Sequence, residues 1–189
     1  MRAIMSGALL LLAAACSQDS QNAAPQAAAC ALEAQRTIAW TGAEAADVVA
    51  ARAEGPSCTQ AIVTWSVRRA SGDPLWAFSA TYHDMVSGGA GAEGLPPASA
   101  EEVQRFLDAW AEVSVNSSAD LPAWPEAAAT LSEAVEGVAY HTDLDRDAYE
   151  GLRQRNLPQL CFAASAESAQ CLVIDPYSGA PLAIAAYGA

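Results

Sequence analysis

Two short stretches carry the side chains best suited to catalysis or metal binding: Tyr82-His83-Asp84 and Tyr140-His141-Thr142-Asp143. Imidazole and carboxylate together can ligate zinc or act as a general acid and base. His83, Asp84, His141 and Asp143 are therefore the candidate residues for a hydrolytic or metal-binding site. Each histidine falls at the end of an expected element, where loops carry function. Nothing in their spacing brings the two pairs together. His141 also has a plainer role as a cation near a helix C-terminus, where it offsets the backbone dipole.

Three other patterns fall short of chemistry. Asp143-Leu144-Asp145-Arg146-Asp147 opens like a calcium-binding loop. The position that needs Gly is Ala148, and the one that needs a bidentate Glu is Gln154. It reads instead as the acidic start of a helix. Gly89-Ala90-Gly91-Ala92-Glu93-Gly94 spells GxGxxG, but Leu95-Pro96-Pro97 follows where a helix should. Glu93 would also set a like charge against a pyrophosphate, so this is a loop. No GxSxG is present, and the chain has no lysine for a Ser-Lys pair or a Schiff base. No cofactor is expected.

The cysteines say more. Of five, Cys16 stands apart, and Cys30, Cys58, Cys161 and Cys171 form an even set. No CxxC or Cys/His zinc spacing occurs. In an exported chain, such a set reads as two disulfides with three connectivities. Hydrophobic alternation selects among them. Placing Cys161 opposite Cys171 in a hairpin aligns Leu160 with Leu172 on one apolar side, so burial and the bridge choose the same register. Cys30 then pairs with Cys58.

Residues 1–16 read MRAIMSGALLLLAAAC: one Arg, an apolar run, three alanines and a cysteine. A positive start, a short apolar run and a small-residue cleavage zone make a secretory signal. The run is too short to span a ~30 Å hydrocarbon core as a helix. The segment resembles a bacterial lipoprotein signal peptide, in which the cysteine is acylated and becomes the first mature residue. Ala13 stands where such signals usually carry Leu, and Leu12 sits one place earlier. The resemblance implies cleavage after residue 15, acylation at Cys16 and a lipid anchor in the cell envelope, facing the periplasm or the exterior. Residues 17–29 (SQDSQNAAPQAAA) are polar and lack apolar periodicity. They read as a flexible tether that spans about 20 Å as a random coil.

Residues 30–189 are expected to form a single globular domain. The formal charge is −13, and all nine basic residues are Arg. No basic stripe is available to neutralise phosphates, so nucleic acid is not a partner. The lipid, not the protein surface, must hold the membrane.

Several elements are expected to position these residues. A short strand over 36–41 leads into a capping-box pattern at Thr41-Gly42-Ala43-Glu44 and a helix to about Arg52. Strands over 59–69 and 75–85 pair as a hairpin, with Trp65 near Phe78. Val63, Trp65, Val67, Trp76, Phe78 and Ala80 then share the inner face. A second capping box at Ser99 opens a helix carrying Val103, Phe106, Leu107 and Trp110 at i, i+3, i+4, i+7. Further helices are expected over 126–140, with Pro125 as first residue, and over 145–155. A three-stranded meander closes the chain over 159–164, 170–174 and 182–187. Strands in hairpins with a cluster of helices between them make an α+β fold. Five Trp residues can line a sugar or peptide groove, although Trp at alternating or helical positions usually packs in the core.

One further resemblance concerns the end of the chain. A helix, a hairpin and then Ile174-Asp175-Pro176-Tyr177-Ser178-Gly179-Ala180-Pro181-Leu182 is similar to the close of PepSY-type envelope domains, over about 40 residues. It implies a binding or protease-modulating module without catalysis. Two functions emerge: a non-catalytic lipoprotein that binds an envelope partner, or a periplasmic hydrolase or metal-binding protein using His83, Asp84, His141 and Asp143.

Overall fold

The computed structural model describes residues 29–87, 97–132, 134–135 and 137–188. The signal-like segment, Cys16, most of the tether and the Gly89–Gly94 stretch lie outside them. Ten strands and three α-helices follow in order: β1 (Cys30–Ile38), β2 (Asp47–Gly55), β3 (Ile62–Arg68), β4 (Pro74–Thr81), α1 (Tyr82–Ser87), α2 (Ala100–Ala111), β5 (Val115–Ser117), β6 (Ala134–Val135), β7 (Val138–His141), α3 (Arg146–Arg153), β8 (Pro158–Ala163), β9 (Ser168–Ile174) and β10 (Pro181–Gly188). All pairs are antiparallel. A four-stranded sheet runs β1-β2-β3-β4, and a six-stranded sheet runs β5-β8-β9-β10-β7-β6. The fold is α+β.

The four-stranded sheet is a ladder of sequence neighbours. Val63, Trp65 and Val67 of β3 are fully buried, and Trp65 stands opposite Phe78 as expected. The expected helix over 41–52 is not there; those residues form the β1–β2 turn and most of β2. Val49, Ala51 and Ala53 are buried, while Arg52 and Glu54 face outward. That is period 2, and a stretch of Ala and Val fits either period until a sheet claims it. Nor is Glu44 part of a cap. The buried carboxylate of Asp47 organises the turn, accepting from the Trp40 and Thr41 amides at 3.2 and 2.7 Å and from the Thr41 hydroxyl at 3.0 Å. Gly55 ends β2 where a Cβ would lie 2.7 Å from the Gln60 carbonyl, so only Gly lets the chain fold back there.

Between β4 and β8 the helices do not form one cluster; α1 and α2 come first, and β5, β6 and β7 separate them from α3. The expected helix over 126–140 is absent among the described residues, and β6 and β7 occupy its second half. The preceding stretch is held by side chains. Arg146 donates to the carbonyls of Pro125, Glu126 and Ala128, and Glu150 accepts from the Trp124 amide at 2.6 Å. The capping box at Ser99 and Glu102 does open α2, which buries Val103, Leu107 and Trp110.

The meander has the expected register. Leu160 opposes Leu172, and Cys161 opposes Cys171. The Cys161–Cys171 and Cys30–Cys58 disulfides are both formed, with Cα separations of 4.0 and 4.8 Å. At the second turn Gly179 has φ +69°, a conformation that favours Gly. The sheet is not one-sided, however. Leu160, Phe162 and Leu172 enter the core shared with the first sheet. Cys171, Val173, Ile184 and Ala185 pack on the opposite face with Tyr149 and Leu152 of α3.

Three indoles tie the layers together. Trp65 stacks on Phe162 with ring centres 4.4 Å apart and donates to the Trp110 carbonyl. Trp40 donates to the Pro158 carbonyl, and Trp110 to that of Ala163. Each of these three indoles thereby meets its one hydrogen-bonding requirement.

Candidate functional site

Among the described residues, a concavity lies where the C-terminal end of α2 meets β8. It encloses about 390 Å³, within the ~300–1,000 Å³ usual for ligand sites. Its α2 wall carries Phe106, Ala109 and Trp110. These lie at i, i+3 and i+4, so one helix face presents all three. Phe106 and Trp110 pack together with ring centres 5.2 Å apart, and Tyr82 meets Phe106 edge-on at 5.4 Å. Burial among these rings pushes the Tyr82 hydroxyl above its ordinary pKa.

The other wall is the edge of β8. Phe162 lines the groove from the inner face of the sheet, and Cys161 and Ala163 from the outer face, with Tyr187 of β10 beyond them. The groove therefore straddles the strand edge. That edge is open because β5 pairs only with Pro158, Gln159 and Leu160. Among the described lining residues the one charged side chain is Glu112, which is 74 % exposed and paired with Arg36 at 3.1 Å.

Of the four residues expected to do chemistry, the structure brings two together. His141, at the end of β7, and Asp143, in the following loop, share a recess of about 90 Å³ with Thr142 and Gln170. It sits beside a register shift in β10 between Ala183 and Ala185, and the Thr142 hydroxyl donates to the Ile184 carbonyl inside the shift. Both His141 and Asp143 are exposed. The helix C-terminus suggested for His141 is not there, because it ends a strand.

His83 and Asp84 lie elsewhere, in α1, which packs on β4 and the turn at Cys58–Gln60. Asp84 is spent locally, accepting from the Thr81 hydroxyl at 2.7 Å. His83 Nε2 is buried with no hydrogen-bond partner among the described residues. No group of three or more His, Cys, Asp or Glu side chains among the described residues could hold a metal ion. The calcium-loop look-alike has a structural role: Asp145 caps α3, accepting from the Ala148 amide at 2.8 Å.

The groove was not legible as a site in the sequence. Phe106 and Trp110 read as a core stripe and Phe162 as a core strand residue, and all three do pack in the core. Trp110 and Phe162 are buried there, and Phe106 alone is half-exposed at the groove. No helix among the described residues is long and apolar enough to cross a membrane. Compared with known proteins, the chain matches no family model, no curated protein and no solved structure.

Proposed function

We propose that the protein is a lipid-anchored module of the bacterial cell envelope that binds a protein partner through the groove between α2 and β8 and carries no catalytic centre. The observation behind this reading is an aromatic-walled groove on an uncovered strand edge, a combination suited to recognition. Two disulfides fit an oxidising compartment outside the cytoplasm. The signal-like segment ending at Cys16 supplies the route out of the cytoplasm and the anchor. The tether over 17–29 would hold the domain clear of the membrane surface.

The reading has two separable tests. Palmitate labelling in the bacterial host should mark the full chain and vanish in Cys16→Ser; labelling that survives the substitution removes the anchor. A photo-crosslinker in place of Ala109, inside the groove, should trap a partner in intact cells. The same group in place of Thr64, on the outer face of the four-stranded sheet, should not. Equal yields from both positions would deny the groove its role. The alternative, an acid–base or metal site, would draw on His141 and Asp143 alone.

A further inference from the structure

We infer that the groove receives an extended, basic polypeptide segment of another protein, laid along the β8 edge in line with β5. This rests on the binding role proposed above and names the chemistry of the partner.

The shape argument comes from strand geometry. Alternate residues of a strand point to opposite faces, and alternate residues turn their N–H and C=O groups to opposite edges. Across the β8–β9 turn, the Ala164 amide donates to the Ser168 carbonyl at 2.8 Å. Ala164, Phe162 and Leu160 thus direct their backbone groups toward β9, and Cys161 and Ala163 direct theirs outward, into the groove. The Ala163 carbonyl shows this directly, since the Trp110 indole reaches it from the α2 side at 2.9 Å. β5 stops beside Leu160, so no strand of the described chain covers Cys161 to Ala163. An occupant must touch Phe106 and Ala109 of α2 on one side of the edge and Cys161 and Ala163 on the other. A helix or an acyl chain lies on one face. An extended chain sends alternate side chains to both and can bond to the edge between them.

The charge argument is separate. The chain carries −13 and no lysine, which disfavours a second copy of itself. Among the described residues, Glu112 is the only charged one lining the groove, and the Arg36 guanidinium engages its Oε2 and not its Oε1. The segment that fits therefore carries Arg or Lys beside an apolar side chain seated against Phe106.

The probe is a synthetic peptide of about seven residues, ordinary strand length. It alternates Arg and Val around a central Phe, and its binding to the purified folded domain is measured by fluorescence anisotropy. A second peptide has the same sequence but N-methylated amides, which keeps the charge and removes the N–H donors that would bond to the edge carbonyls. Ala109→Trp fills the groove from an exposed helix position, and Glu112→Arg reverses its charge. We expect the N-methylated peptide to bind at least about tenfold more weakly, a loss of one or two hydrogen bonds. Ala109→Trp and Glu112→Arg should each weaken the parent peptide by a similar factor, with far-ultraviolet circular dichroism unchanged.

Equal affinity for the two peptides would overturn strand addition and leave only charge attraction. Equal affinity for all three proteins would overturn the groove as the site. A concentration-dependent dimer that Ala109→Trp abolishes would make the occupant a second copy and overturn the inference. If the Ala109 crosslink persists in cells while the peptide fails, this inference falls and the binding reading stands.

Discussion

The two sheets solve the same burial problem differently. The four-stranded sheet is built from consecutive strands and buries one face, leaving Thr64, Arg52 and Glu54 toward solvent. Its outer face is held by modest pairs such as Glu33 with Arg52, directly opposed and 3.0 Å apart. Such exposed pairs contribute at most about 1 kcal/mol. The six-stranded sheet takes strands from scattered parts of the chain and buries both faces, one against the first sheet and one under α3. A sheet covered twice must recruit long-range segments, and those segments are short. β5 is three residues and β6 two. Short strands leave edges, and the groove lies on one of them. The candidate site thus comes from the manner in which the second sheet is completed.

The strongest test of this contrast is the joint between the sheets. Trp65 is fully buried, stacks on Phe162 and donates to the Trp110 carbonyl. Trp65→Ala should cost about 3–5 kcal/mol in urea unfolding, as large aromatic deletions do. The loss should appear as one cooperative transition at lower urea. Two separated transitions would show that each sheet folds alone, and the groove would then lie between independent parts.

The disulfides sharpen the comparison next. Cys30 and Cys58 are 28 residues apart in sequence and clamp the first strand to the turn before β3. Cys161 and Cys171 are 10 apart and staple a hairpin whose register hydrophobic burial already selects. In the chain-entropy model, replacing the first pair by Ala should cost about 3.6 kcal/mol and the second about 2.8 kcal/mol. Paired thermal melts of the two double variants measure the difference. A larger loss at 161 and 171 would mean that the hairpin depends on its bridge rather than on its packing.

The smallest expected effect concerns the cover over the second sheet. Burial opposes ionisation of Glu150, yet the Trp124 amide, the Gln154 amide and the Arg153 guanidinium together hold its carboxyl below the ordinary value of 4.5. A carboxyl with a lowered folded-state pKa stabilises fully above the ordinary value. That contribution fades as the pH falls through the lowered one. Glu150→Gln should therefore cost about 1–2 kcal/mol at neutral pH, the scale of a charged hydrogen bond. The gap to the parent should narrow steadily on acidification below about 4.5. A gap that is constant with pH would mean the carboxylate charge does no stabilising there.

The hairpin from β3 to β4 and the meander from β8 to β10 were legible because their apolar residues mark one register and each is closed by a local turn. Trp65 opposite Phe78 and Cys161 opposite Cys171 follow from period 2 alone. Helix α2 was equally plain, with its capping box and a stripe at 3.6-residue spacing. β2 and the region over 126–140 were misread for a common reason. Both are rich in Ala and Val, which satisfy helix and strand patterns alike, and their partners lie outside any local window. The His/Asp pairs were visible as residue types, but their distribution between α1 and the β7 end was not.

The sequence by itself determined the β3–β4 hairpin, the turns and register of the β8–β9–β10 meander and the disulfide pairing, because these depend on neighbours within a few residues and on which face is apolar. Tertiary structure alone decided that β2 is a strand, that the meander is buried on both faces, and that β5 ends beside Leu160. Each of those outcomes depends on surfaces contributed by distant segments. The groove over Phe106, Trp110 and Phe162 depends on all of them, since it is the space left when a strand is too short to cover its neighbour.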